Sequence, residues 1–160
     1  MTVMEVAMAD LRVTTEPTVL VTRFLGSCVA IALYDGSNRV GGLAHVMLPS
    51  SISRRPGERP GKFADTAVPS MLDGMESIGA DRCEIVAKVA GGARMFKRVD
   101  PDKVLNMGQK NVEASLSALE RAGIAVSAMD VGGGHGRTVE LKTTDGTVRV
   151  CTFPEGDRTI

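Results

Sequence analysis

The chain has few aromatic residues and no excess of charge of either sign. Its 160 residues include no tryptophan, one tyrosine and four phenylalanines, and its 19 basic side chains balance 19 acidic ones. Proteins that bind nucleic acids stack bases on aromatic side chains and attract phosphates with clustered positive charge. Nucleic-acid binding is therefore not expected.

Long apolar runs and paired cysteine motifs are also missing from the sequence. No segment approaches the length of a membrane-spanning helix, and the N-terminus lacks the basic and apolar regions of a signal peptide. The three cysteines, Cys28, Cys83 and Cys151, are odd in number and widely spaced, and neither C-x-x-C nor H-E-x-x-H occurs. We expect a cytoplasmic protein with reduced thiols, without a metal site, a cofactor or membrane insertion.

Hydrophobic periodicity predicts strands at both ends of the chain and two helices in the middle. Strand-like runs cover approximately residues 3–13, 18–24, 28–34, 40–48, 83–90, 124–131, 138–142 and 147–153. Apolar residues at helical spacing cover 64–78 and about 104–122, and the polar segment 50–62 predicts a loop. This order predicts an α+β or mixed α/β fold: a compact single-domain sandwich, over residues 1–160, of β-sheet and two main helices.

One cysteine and one histidine are predicted to meet on neighbouring strands. Asp35-Gly36-Ser37-Asn38 is a turn signal, and a hairpin centred on Gly36-Ser37 places Cys28 directly opposite His45. Directly opposed residues share a sheet face, with Cβ atoms roughly 4.5–5.5 Å apart. A thiol is only slightly ionised at neutral pH, so a cysteine nucleophile needs a neighbouring base such as imidazole.

The pattern alone also allows a simpler interpretation, in which Cys28 is a small packing residue and His45 a core histidine. Cys83 and Cys151 lie in apolar runs and are expected to be buried packing residues. Cys28 differs because Gly26 lets the backbone approach a substrate closely. The backbone N–H groups of Ser27 and Cys28, with the Ser27 hydroxyl, could then bind an oxyanion.

Several segments taken together resemble one known family. They are Leu25-Gly26-Ser27-Cys28-Val29, Gly41-Gly42-Leu43-Ala44-His45-Val46-Met47-Leu48-Pro49, Lys62-Phe63-Ala64-Asp65-Thr66-Ala67-Val68-Pro69, Gly91-Gly92-Ala93-Arg94-Met95-Phe96, Asn111-Val112, and Val131-Gly132-Gly133 followed by Gly136-Arg137. This set, spread over roughly residues 18–150, resembles the CheD family, the chemoreceptor glutamine deamidases of bacterial chemotaxis.

The resemblance implies a three-residue site and a substrate class. Cys28 matches the family's nucleophile, His45 its general base and Thr22 the threonine that orients the histidine. The expected substrates are glutamine side chains on the cytoplasmic helices of methyl-accepting chemoreceptors, and CheC is a candidate partner. The resemblance also implies a fold similar to the catalytic domain of cytotoxic necrotising factors.

The chain departs from the family pattern at one position near the proposed nucleophile. Family members often carry a glycine two residues before the Gly-Ser-Cys turn, and here that residue is Phe24. Two other interpretations stay open at this point. The chain could be a non-catalytic module of the same fold that binds CheC or receptors, or Cys28 could be a redox-sensing thiol.

Overall fold

The computed structural model describes residues 1–95 and 106–160. Phe96, the last residue of one family-like segment, and Val104, the predicted start of the second helix, lie outside the described residues.

Ten strands and two helices make up the described part of the chain. In chain order they are β1 (Thr2–Glu5), β2 (Leu11–Thr15), β3 (Thr18–Leu25), β4 (Val29–Asp35), β5 (Val40–Val46), α1 (Ala64–Ser77), β6 (Ile85–Gly91), α2 (Met107–Arg121), β7 (Ala125–Val131), β8 (Arg137–Lys142), β9 (Val148–Thr152) and β10 (Gly156–Thr159). The prediction of a mixed α+β fold with two main helices is confirmed.

The strands form two mixed five-stranded sheets. The first sheet has the order β1-β3-β8-β9-β10 and the second has the order β2-β5-β4-β6-β7. The pairs β1/β3 and β6/β7 are parallel, whereas the other pairs are antiparallel. Consecutive strands β3 and β4 therefore belong to different sheets, and the Gly26-Ser27 turn carries the chain from one sheet to the other.

Strand β4 lies at the centre of the second sheet and is buried on both faces. One face carries Val29, Ile31 and Leu33, which pack in the core shared with α1 and α2. The other carries Ala30 and Ala32, which pack against side chains of the first sheet. Because successive side chains of a strand alternate between faces, a doubly covered strand reads as an almost continuous apolar run. The resulting order of layers is helices, second sheet, first sheet.

Two local predictions were wrong, and one strand was missed. The predicted strand over residues 3–13 is two strands in different sheets, because the chain turns at Ala9, where φ is +66°. Cys83 is exposed in a short 3₁₀ turn before β6, and Cys151 is only half-buried. Strand β10 was not predicted, because its four residues have no apolar alternation.

Glycines hold the end of β6 close to the segment that precedes β4. The Gly92 N–H donates to the Cys28 carbonyl at 2.8 Å. A Cβ atom on Gly92 would lie 2.3 Å from Val112 Cγ2 and 2.8 Å from the Gly108 carbonyl oxygen, and the φ of Gly92 is +67°. Both the backbone conformation and the close approach of α2 therefore require glycine at this position.

We expect Gly92→Ala to lower the free energy of unfolding by roughly 3 kcal/mol or more, because the new methyl group overlaps α2. Gly123 is the matched control: its φ is +72°, but a Cβ atom there would meet no other part of the fold within 4 Å. Gly123→Ala should cost only about 1 kcal/mol, the effect of backbone conformation alone. Urea denaturation of both variants measures the difference, and equal losses would contradict the packing argument.

Candidate active site

Cys28 and His45 lie on the same face of the second sheet, although not directly opposite each other. Ala30, two residues after Cys28, is the residue paired with His45. The predicted register was therefore wrong by two residues. The carboxylate of Asp35 accepts the N–H groups of Ser37 and Asn38 and holds a four-residue turn between β4 and β5. Side chains along a strand alternate between faces with a period of two. The two-residue difference in register therefore keeps the side chains of Cys28 and His45 between the sheets.

Thr22 reaches the same place from the opposite sheet. It lies in β3 and is fully buried, and its Oγ1 is 2.7 Å from His45 Nδ1. His45 itself is only 1% exposed. The Thr22 hydroxyl is also 2.7 Å from the carbonyl oxygen of Val6, the residue after β1. The structure thus brings the threonine and the histidine into direct contact across the sandwich.

These two contacts fix the tautomer of the neutral imidazole. A hydroxyl has one proton to donate, and a carbonyl oxygen can only accept. Both contacts are hydrogen bonds only if the Thr22 hydroxyl donates to Val6 and His45 Nδ1–H donates to Thr22. The proton therefore resides on Nδ1, and Nε2 carries a free lone pair. No hydrogen-bond partner for buried Nε2 exists among residues 1–95 and 106–160.

Burial disfavours the charged form of both candidate groups. It lowers the pKa of His45 to about 4 and raises the pKa of the Cys28 thiol. In each case the cause is the loss of water around the charged form. Taken singly, each group is therefore held in its uncharged form at neutral pH, the cysteine as a thiol and the histidine as an imidazole.

Asn111 of α2 ties together the two chain segments that carry these groups. Its side-chain amide nitrogen donates to the Ser27 carbonyl at 3.0 Å and to the Met47 carbonyl at 2.9 Å. Ser27 directly precedes Cys28, and Met47 is two residues after His45. The sequence pattern assigned Asn111 no role. The feature of the sequence that could have identified Asn111 is that it is a polar residue on the otherwise apolar face of an amphipathic helix.

The turn before β4 offers backbone donors beside the thiol. The N–H groups of Gly26, Ser27 and Cys28 donate to no acceptor in the described part of the chain. The carbonyl groups of Gly26 and Cys28, in contrast, are bound by the N–H groups of Ala93 and Gly92, each at 2.8 Å. The turn is thus held through its acceptors, while its donors have no partner among residues 1–95 and 106–160. This arrangement suits the binding of a developing oxyanion.

Comparison with known proteins places the chain in a family. Residues 47–152 match the family described as CheD chemotactic sensory transduction. The "Probable chemoreceptor glutamine deamidase CheD" of Methanococcus vannielii is 47% identical over 92% of this chain and 94% of its own length. The chain belongs to the CheD family. The "Chemoreceptor glutamine deamidase CheD" of Halalkalibacterium halodurans is 41% identical over 99% of this chain and 98% of its own. These CheD relatives extend the similarity over the segment that carries Thr22, Cys28 and His45.

Solved structures resemble the CheD-family chain only distantly. The Bacillus licheniformis hypothetical protein YfiH has a TM-score of 0.48 and 18% identity over 78% of this chain and 50% of its own. That likeness is too low to indicate a function.

None of the helices in the described residues is both long and apolar enough to span a membrane. Within those residues, no three His, Cys, Asp or Glu side chains are grouped as metal ligands.

The depressed pKa of His45 predicts a loss of stability in mild acid. The unfolded histidine titrates near 6.5 and the folded one near 4, so between these values only the unfolded state binds the proton. The free energy of unfolding should therefore fall by about 2 kcal/mol from pH 7 to pH 5. Urea denaturation across this range measures the slope.

His45→Gln should remove most of this slope, since its amide can still donate to Thr22 but does not titrate. His135→Gln is the control, because His135 is the only other histidine and its side chain is 43% exposed. An unchanged slope in His45→Gln would show that other groups cause the pH dependence.

Proposed function

We propose that the chain is a protein-glutamine deamidase that converts specific glutamine side chains of methyl-accepting chemoreceptors to glutamate. The names of its CheD relatives support this reaction and this substrate. The observation that carries the proposal is the hydrogen bond between Thr22 and His45. It leaves the Nε2 lone pair on the sheet face that also carries Cys28, with no hydrogen-bond partner among the described residues, Cys28 Sγ included. A histidine base needs such a lone pair to accept the proton of a cysteine nucleophile.

In the proposed first step, Cys28 Sγ attacks the carboxamide carbon of the glutamine. The thiol proton passes to His45 Nε2 as the S–C bond forms, since the resting pair is uncharged. The resulting tetrahedral oxyanion is bound by the free N–H groups of Gly26, Ser27 and Cys28. The Nδ1–H bond to Thr22 holds the imidazole ring in place during this transfer, as the third member of a hydrolase triad does.

The tetrahedral adduct then collapses by breaking its C–N bond. His45 returns the proton to the leaving nitrogen, ammonia departs, and a thioester joins Cys28 to the substrate. In the second half of the reaction His45 takes a proton from water, whose oxygen attacks the thioester carbonyl. The C–S bond then breaks, His45 returns its proton to Cys28 Sγ, and the released carboxyl group ionises to give glutamate. Each turnover therefore adds one negative charge to the receptor.

The family resemblance supports three further parts of the proposal. The reaction takes place in the cytoplasm, where the substrate helices lie, CheC is a binding partner, and the sandwich is similar to the catalytic domain of cytotoxic necrotising factors. The competing function is a non-catalytic module that binds CheC or receptors through the same fold.

We expect Cys28→Ala to abolish deamidation of a purified receptor cytoplasmic fragment, by roughly a thousandfold or more, because no nucleophile remains. Ammonia release gives the rate, and mass spectrometry maps each glutamine converted to glutamate. Cys83→Ser is the control that should keep full activity, because Cys83 is exposed in the turn before β6. Undiminished turnover by Cys28→Ala would contradict the proposed mechanism, and absence of turnover by the unaltered protein would favour the binding module.

Two substitutions at Thr22 test the tautomer argument. Thr22→Val keeps the side-chain shape but removes both hydrogen bonds, so kcat should fall by roughly a hundredfold as the imidazole loses its orientation. Thr22→Ser keeps the hydroxyl and should retain most of the activity. Steady-state kinetics and melting temperatures of both variants are compared. Equal activity of the two would rule out an orienting role for the hydroxyl.

A further inference from the structure

Cys28 and Met47 lie just beyond the end of the ladder that joins β4 to β5. The last backbone pair of these strands is Val29 with Val46. A ladder that continued by one step would pair Cys28 with Met47. Instead, the Met47 N–H donates to the Lys62 carbonyl at 2.9 Å. Strand pairing between β4 and β5 therefore stops at the point where the candidate nucleophile lies.

The relative positions of Cys28 and His45 make their approach sensitive to the backbone at this strand end. His45 is paired with Ala30, so Cys28 is its diagonal neighbour. Diagonal neighbours in an antiparallel pair are roughly 7–8 Å apart, against roughly 4.5–5.5 Å for directly opposed residues. His45 Nε2 has no hydrogen-bond partner among residues 1–95 and 106–160, Cys28 Sγ included. Proton transfer between the two side chains therefore depends on how closely the start of β4 is held to the end of β5.

One buried side-chain amide spans the gap between the two strand ends. Asn111 of α2 is 0% exposed. Its Nδ2 donates to the Ser27 carbonyl at 3.0 Å and to the Met47 carbonyl at 2.9 Å. The first carbonyl belongs to the peptide that leads into Cys28, and the second lies on the opposite strand end. Because both bonds come from a single nitrogen, they fix the separation of the two carbonyls.

The two hydrogen bonds determine which way the amide of Asn111 faces. Both partners are carbonyl oxygens, which only accept, so the amide nitrogen lies toward them. The amide oxygen Oδ1 is buried and has no partner among the described residues. Asn111 therefore acts here through its two donors. A leucine of similar size would occupy the same space without linking the strand ends.

Ser115, one turn further along the same face of α2, makes a different kind of contact. It is also 0% exposed, and its hydroxyl donates to the backbone carbonyl of Asn111 at 2.7 Å. This hydrogen bond stays within the helix, whereas those of the Asn111 side chain leave it for the two strand ends. Ser115 is therefore a matched reference for a buried polar group on α2 that does not hold the site.

We propose that Asn111 is a positioning residue for the reaction, whose amide holds the start of β4 against the end of β5 and so keeps Cys28 within reach of His45. The proposal rests on the deamidase function above. Asn111 acts through the backbone of Ser27 and Met47 rather than on the substrate. A displacement of about 1 Å at a reacting group can lower a rate by roughly a hundredfold. Loss of the link should therefore appear in kcat.

Asn111→Leu tests the link in the deamidation of a purified receptor cytoplasmic fragment. We expect kcat to fall about a hundredfold while KM stays within about threefold, since the buried amide does not form the surface that binds the fragment. Ser115→Ala removes a buried polar group from the same helix face and should keep kcat within about twofold. Melting temperatures are measured for both variants. Unchanged kcat in Asn111→Leu, or an equal loss in Ser115→Ala, would overturn the proposal.

Asn111→Ser is a milder variant for the case in which Asn111→Leu does not fold, since leucine leaves two carbonyls without their donor. A serine hydroxyl has one proton and cannot bind both carbonyls at once. Its kcat should fall at least tenfold with KM within about threefold. Full kcat in a folded Asn111→Ser variant would contradict the positioning role.

Alkylation of Cys28 by iodoacetamide separates this proposal from the deamidase function, because it needs no substrate protein. Mass spectrometry of the peptide that contains Cys28 gives the labelling rate. His45→Gln should slow labelling about fivefold in the unaltered protein but less than twofold in Asn111→Ser, because the second protein has already lost the approach of thiol and imidazole. Additive effects of the two substitutions would overturn the proposal.

The two experiments together distinguish the failure of one proposal from the failure of the other. Non-additive labelling without ammonia release would support the positioning role and contradict the deamidase. Deamidation with additive labelling and with unchanged kcat in both Asn111 variants would support the deamidase and contradict the positioning role.

Discussion

The hydrogen bond between Thr22 and His45 joins the two sheets of the sandwich and sets the chemical state of the site. It requires β3 of the first sheet and β5 of the second to place two buried side chains with 2.7 Å between Oγ1 and Nδ1. It also requires the Val6 carbonyl to take the hydroxyl proton. Because three separate strand segments must meet before the tautomer is defined, the candidate base exists only in the fully packed fold. Site geometry and fold stability therefore depend on the same contact.

The small side chains of the central strands allow the layers to approach closely enough for this contact. A Cβ atom on Gly41 would lie 2.8 Å from Thr143 Cγ2, and one on Gly42 would lie 3.1 Å from Met75 Sδ. Ala30 and Ala32 occupy the same inter-sheet layer as Gly41. Large aromatic residues at these positions would separate the layers and with them Thr22 from His45. The scarcity of aromatic residues in the sequence is thus consistent with a thin core built around a buried polar pair.

Local sequence patterns predicted the two helices, most strands and the shared face of Cys28 and His45. They missed the register because the length of the turn after β4 depends on the Asp35 carboxylate, which a dipeptide signal does not report. The contact between Thr22 and His45 joins different sheets, and strand periodicity does not specify which sheets pack together. The role of Thr22 was therefore predicted from the family resemblance alone. Asn111 received no role because its partners, the Ser27 and Met47 carbonyls, lie far away along the chain.

Burial of the uncharged pair has a consequence for selectivity in the proposed reaction. Burial raises the pKa of the Cys28 thiol, which keeps it protonated at rest and lowers its intrinsic nucleophilicity. Attack becomes favourable only when a carboxamide is held against Sγ with its oxygen on the free N–H groups of the Gly26-Ser27-Cys28 turn. Proton transfer to Nε2 and bond formation to carbon then occur together. Selectivity for a glutamine on one protein surface therefore has to come from positioning of the substrate, and the residues around the entrance decide it more than the intrinsic reactivity of the cysteine.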